Sequence, residues 1–149
     1  MTTVYKLTDA DGRTHGGMRW KIGRTNTAGG DGDLCGPGWL HAYDDPLLAV
    51  MLNPIHANFQ APRLFECDAE IGKTDHGLKV GCTSITPRRE LPVSRVTTEQ
   101  HVRFGVLCAM AVYTEPAWLI WAEGWLSGAC RSEAAGAAAE AAGAAAGAA

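Results

Sequence analysis

The sequence predicts an α+β fold: a small antiparallel sheet with one short helix, followed by a C-terminal helical segment and an Ala-rich helix. Three observations carry this. Several short stretches in the first ninety-odd residues alternate apolar and polar side chains, the period of a half-buried strand. Two capped helix starts stand in the last third. The final residues repeat the unit Glu-Ala-Ala-Gly-Ala-Ala-Ala, beginning at Glu133 and again at Glu140.

The elements follow in order. Thr3 to Leu7 alternates in part and reads as a first strand, ended by the turn signal Asp9-Ala10-Asp11-Gly12. Met18, Trp20 and Ile22 alternate with Arg19 and Lys21, which predicts a strand with a basic outer face that stops at Gly23. Thr25 to Gly38 is loop-like, with five glycines and Pro37. Trp39 to Tyr43 reads as a short strand or turn. Asp45-Pro46 starts a helix, with Asp as N-cap and Pro in its first turn. That helix covers Leu47 to Leu52 and stops before Pro54.

Phe65, Cys67, Ala69 and Ile71 share one strand face, and Glu66, Asp68 and Glu70 share the other. A strand over Leu78 to Ile85 follows, then Glu90-Leu91-Pro92-Val93, whose proline makes it an edge or a strand end. Thr97 with Gln100 forms a capping box ahead of Val102, Val106, Leu107 and Met110. Glu115-Pro116 starts a second helix that puts Trp118, Trp121 and Trp125 on one face, the usual pattern of a core stripe, and Gly128 caps it. Ser132 caps a third, with Gly136 and Gly143 seven residues apart. The expected organisation is an α+β domain over 1–95, a helical pair over 96–128 packed on it, and an Ala/Gly-rich helical tail over 129–149. Small residues at heptad spacing allow close helix contact, so the tail is a candidate for homo-oligomerisation.

Composition excludes several classes. Lys plus Arg is 13 against 16 for Asp plus Glu, a net charge of −3. Nucleic-acid binding wants a basic field, so none is expected. The chain of 149 residues is 46% hydrophobic and 19% charged, which argues for a folded core. Met1 to Lys6 has no apolar h-region, so no secretory signal is expected. The longest charge-poor run, Phe104 to Leu119, is broken by Glu115 and Pro116, so no membrane span is expected either. The five cysteines, Cys35, Cys67, Cys82, Cys108 and Cys130, are odd in number and widely spread. That points to a reducing cytoplasm, with most thiols serving as small core hydrophobes.

The densest chemistry lies between Leu34 and Pro46, where a thiol, an imidazole, a phenol and two carboxylates fall close together. The functional reading makes His41 an acid, base or ligand, with Tyr43 beside it. The structural reading makes the same stretch an elbow, with glycines for the turn and Asp45 for the cap. A metal held by Cys35 and His41 would need Cys67, His56 or His76 at no usual spacing, so no metal and no other cofactor is expected. Glu66 and Glu70 are candidate carboxylates on what also reads as the wet face of a strand. Arg88, Arg89, Arg95 and Arg103 form a mild basic cluster. Phosphate-loop, nucleophile-elbow and zinc-helix motifs are absent from the sequence.

Several motifs in order resemble a known pattern. They are Val4-Tyr5-Lys6, Gly17-Met18-Arg19-Trp20-Lys21-Ile22-Gly23, Leu34-Cys35 with Gly38-Trp39-Leu40-His41-Ala42, and Arg63-Leu64-Phe65-Glu66-Cys67. With Lys79-Val80 and Arg89-Glu90-Leu91 they are similar to a small domain-of-unknown-function family common in phage, prophage and bacterial genomes. The resemblance spans residues 3–95 and departs at Tyr43, near where the family often has a second cysteine. It implies a phage-type or mobile-element origin and supplies no activity. The leading expectation is a non-enzymatic accessory protein of phage type in the bacterial cytoplasm, acting by binding a host or phage protein. The stretch Gly38 to Ala49 followed by an acidic strand is also similar to the core of ADP-ribosyltransferase-like folds. That likeness implies an NAD-dependent transferase, with Tyr5 on the first strand, His41 or Tyr43 on the second and Glu66 or Glu70 as the carboxylate. A structural virion component, with the Ala-rich helix packing between copies, is a third expectation.

Overall fold

Residues 1–131 are described by the computed structural model. The tail readings at Ser132, Glu133, Gly136, Glu140 and Gly143 lie outside the described residues. The chain divides into two units, Met1–Arg95 and a second beginning at Val96.

The first unit is built on an antiparallel sheet. Its strands are β1 (Thr2–Thr8), β2 (Asn26–Thr27), β3 (Leu40–Ala42), β4 (Arg63–Asp75) and β5 (Lys79–Leu91). β4 and β5 form a long hairpin, β1 pairs with the far side of β4, and both β2 and β3 pair with β5. The helix α1 (Pro46–Met51) and the single turn α2 (Asn53–His56) lie between β3 and β4. The α+β class is therefore the observed one.

One further pairing changes the topology. Just past β3, Tyr43 bridges Tyr5 of β1 with two backbone hydrogen bonds of 2.7 and 3.0 Å. The path β1–β4–β5–β3 thereby returns to β1, and the sheet closes on itself along a seam. Val4, Leu40, Ala42, Phe65, Cys67, Ala69, Val80, Cys82 and Ile85 gather with Trp20 into one apolar core. Burial of this set supplies the main driving force, of order 25 cal/mol per Å² of apolar surface.

Three sequence expectations are corrected here. Met18–Ile22 is not a strand: it makes only an isolated bridge, Arg13 to Arg19. Gly16, Gly17 and Gly23 flank it with φ near +78°, a left-handed conformation that interrupts extended backbone on either side. Trp20 alone is buried there, and Ile22 is 52% exposed. The segment 78–85 and Glu90-Leu91 belong to one strand, β5, rather than two, and that strand ends at Leu91, just before Pro92 as the proline predicts. Pro87 is fully buried inside it opposite Cys67, beside a register shift between Glu66 and Cys67. Arg88 is the extra residue of that bulge, and a break in the ladder of this kind is where a strand tolerates a proline. The thiols also differ from expectation: only Cys67 and Cys82 are buried, while Cys35, Cys108 and Cys130 are exposed.

The second unit contains α3 (Thr98–Met110) and α4 (Pro116–Ser127). Thr97 and Gln100 form the capping box at 3.2 and 2.8 Å. Glu115 caps α4, and Gly128 ends it at φ 82°. Trp118 and Val106 are buried together, with Trp121 and Trp125 half-buried against them. The tryptophan stripe is thus core to this unit. Among the described residues, no helix is long and apolar enough to cross a membrane.

Candidate functional site

Residues on both sides of the seam line a cleft of about 790 Å³. Lys6 comes from β1, His41 from β3, Tyr43 from the bridge, His56 from α2 and Lys79 from the start of β5. Local sequence sets each in place. Asp45 accepts from the amides of Leu47 and Leu48 at 2.7 and 3.0 Å, which starts α1 directly after Tyr43. Pro54 sits in the first turn of α2, where its missing N–H is not needed, so the chain turns once more and delivers His56.

Lys6 is the unusual member. It falls in the same phase of β1 as Val4 and Thr8, both fully buried, and is itself only 8% exposed. Its Nζ donates to the His41 carbonyl and lies 4.7 Å from the centre of the Trp20 ring. Trp20 is in turn held by Nε1 donating to Thr14 Oγ1 at 3.0 Å. Lysines this deeply buried normally have a carboxylate partner. Among the described residues, none bonds Lys6 and none lines the cleft. Burial therefore lowers its pKa to about 8, opposed only by Cys67 and Cys82.

The imidazoles are placed with definite tautomers. His41 Nε2 bonds the Leu34 carbonyl, which can only accept, so Nε2 carries hydrogen and Nδ1 is left as an acceptor. Burial holds His41 below the usual histidine range, and Lys6 and Lys79 push the same way against the Leu34 bond. Tyr43 Oη lies 2.9 Å from His56 Nδ1, with the two rings stacked at 6.0 Å. Burial pushes the Tyr43 phenol up to about 12 and the His56 imidazole down. At neutral pH the phenol therefore donates, and His56 keeps its proton on Nε2. At the rim, Lys79 Nζ donates to Cys35 Sγ at 3.1 Å. His15 stacks on Phe59 at 5.4 Å.

Of the residues singled out from sequence, His41 and Tyr43 come together and Glu66 and Glu70 do not join them. The two glutamates alternate with Phe65, Cys67 and Ala69 and leave the sheet on the other face. Glu66 forms a two-point ion pair with Arg89 at 3.0 and 2.7 Å, and that guanidinium holds its carboxyl below the usual range. Glu70 accepts from Ser84 Oγ at 3.1 Å. Asp68 pairs with Arg88 at 3.0 Å, so the two arginines of the basic cluster in β5 are engaged with this acidic row. Among the described residues, no three His, Cys, Asp or Glu side chains gather as metal ligands.

Sequence reasoning missed Lys6 and Lys79 and gave His56 only a marginal part. Lys6 carried one weak signal, a charged residue in phase with Val4 on a short strand whose other members are threonines, Tyr5 and Leu7. Lys79 and His56 carried none, because their placement depends on the β4–β5 turn and on α2. In comparison with known proteins, no family model matches this chain, and no curated protein or solved structure matches it significantly.

Proposed function

We propose that the first unit is a binding module for a small organic anion, seated in the cleft against Lys6, Lys79 and the two neutral imidazoles. One observation supports this most. The chain carries more acidic than basic residues, yet among the described residues its cleft is lined by two lysines and three histidines and by no carboxylate. A buried ammonium without a partner is costly, and an anion supplies the missing charge and acceptors. His41 Nδ1 and the His56 Nε2–H add an acceptor and a donor for orientation. The NAD-dependent transferase reading finds less support, since it needs Glu66 or Glu70 beside His41. The setting proposed is the bacterial cytoplasm, in keeping with the phage-type origin that the resemblance implies.

Amide chemical shifts followed while oxalate is added test this, with uncharged oxamide as the control. Oxalate is expected to move the amides of Lys6, His41 and Tyr43 and to bind more weakly as salt is raised. Lys6→Met should weaken it about tenfold or more, the range for a hydrogen bond to a charged group. Equal response to oxamide, or none to either, would sink the reading.

A second reading, docking of a host or phage protein, has its own support in the second unit. Val112, just past the end of α3, is 82% exposed and Ile120 of α4 is 72% exposed. Exposed large apolar side chains mark protein-contact surfaces where they gather into a patch.

A further inference from the structure

We infer that Lys6 is an imine-forming amine, and that the anion this cleft takes is a small oxo acid whose carbonyl carbon Lys6 captures. The inference rests on the anion-binding reading above and names the substrate class. Three features of the cleft converge on it. Lys6 is buried yet lines the cleft, so its amine is reachable by a ligand and shielded from bulk water. Its neighbours are the Trp20 face and one backbone carbonyl, with no carboxylate to hold it as a permanent ammonium among the described residues. A lysine desolvated in an apolar setting is the form in which this side chain becomes a nucleophile toward carbonyls. Burial also brings its pKa to about 8, which leaves a usable share of neutral amine at neutral pH.

The step balances without any further reagent. The Nζ lone pair attacks the carbonyl carbon, the C=O π pair moves to oxygen, and a proton passes from nitrogen to that oxygen to give a carbinolamine. The C–O bond then breaks, the nitrogen lone pair forms C=N, and a proton from solvent lets the oxygen depart as water. The product is a cationic iminium. With no carboxylate lining the cleft among the described residues, the ligand's own carboxylate is the natural counter-charge, which is why an oxo acid suits it better than a neutral aldehyde.

The test uses the full chain, glyoxylate as probe and cyanoborohydride to reduce any imine to carboxymethyl-lysine, followed by peptide mapping. Labelling of Lys6 about tenfold or more above that of the exposed Lys21 and Lys73 is expected, with protection by excess oxalate. Mapping on the unmodified protein needs no variant, so a folding defect cannot obscure the result. Equal labelling of all lysines overturns the inference. An unlabelled Lys6 in a protein whose cleft amides still respond to oxalate overturns it too, and leaves the binding reading standing. An unlabelled Lys6 with no oxalate response removes both.

Discussion

At the scale of single residues, Lys6 decides the character of the cleft. A lysine whose folded pKa lies near 8 and whose unfolded value is 10.5 binds fewer protons in the folded state between those limits. Stability therefore rises with pH across that window on account of Lys6, by at most about 3 kcal/mol for a shift of this size. Cys67 and Cys82 act in the opposite sense. Burial pushes them up to about 12 and about 11, so the folded state keeps protons that the unfolded state loses. Only a comparison of variants separates the two. Urea unfolding midpoints at pH 7.5 and pH 10 are expected to rise less, or fall more, in Lys6→Met than in the wild type. Identical pH slopes would show that Lys6 keeps its proton in the folded protein. Of this site, His41 and Tyr43 were legible because they crowd one short stretch. Lys6 was legible only as an irregularity in a strand pattern.

At the scale of elements, what could be read from sequence was the punctuation. Asp45-Pro46, Thr97 with Gln100 and Gly128 mark their helix ends because each satisfies a local backbone group. What stayed hidden was set by contacts across the sheet. Trp39 lies so close to β4 and β5 that a Cβ on Gly72 would stand 2.5 Å from its ring, and one on Gly81 would stand 3.2 Å away. Neither glycine announces a strand when read alone. Pro87 likewise argues against a continuous strand until the bulge in its neighbour is seen. The same scale gives a contrast between two carboxylates. Asp45→Ala removes two capping bonds and should lower stability by about 1 kcal/mol, loosening the helix pair that carries His56. Glu66→Gln disturbs an exposed ion pair on the far face, so it should change stability little and leave the oxalate response of the cleft intact. Thermal melts with the same titration check both. Loss of the response in Glu66→Gln would bring the acidic strand back into the site.

At the scale of the molecule, the two units differ in kind. One is a sheet closed through pairings as distant in sequence as Thr2 with Ala69, and the other is a local helical pair. The α+β class was legible because both periodicities are plain in the sequence. The closure was not, since it turns on one bridge between Tyr5 and Tyr43 that no periodicity encodes. That bridge works as a latch. Two hydrogen bonds hold β1 to the end of β3, and the cleft residues Lys6 and His41 sit on either side of it, so a ligand touching both acts as a bolt. Hydrogen exchange at the Tyr5 and Tyr43 amides measures how often the latch opens. If the ligand binds only the closed ring, oxalate at ten times its dissociation constant should slow that exchange about elevenfold, while the amides of α3 and α4 exchange as before. Occupancy of the cleft and integrity of the ring would then be one equilibrium, and a vacant protein would be the one that frays at its seam.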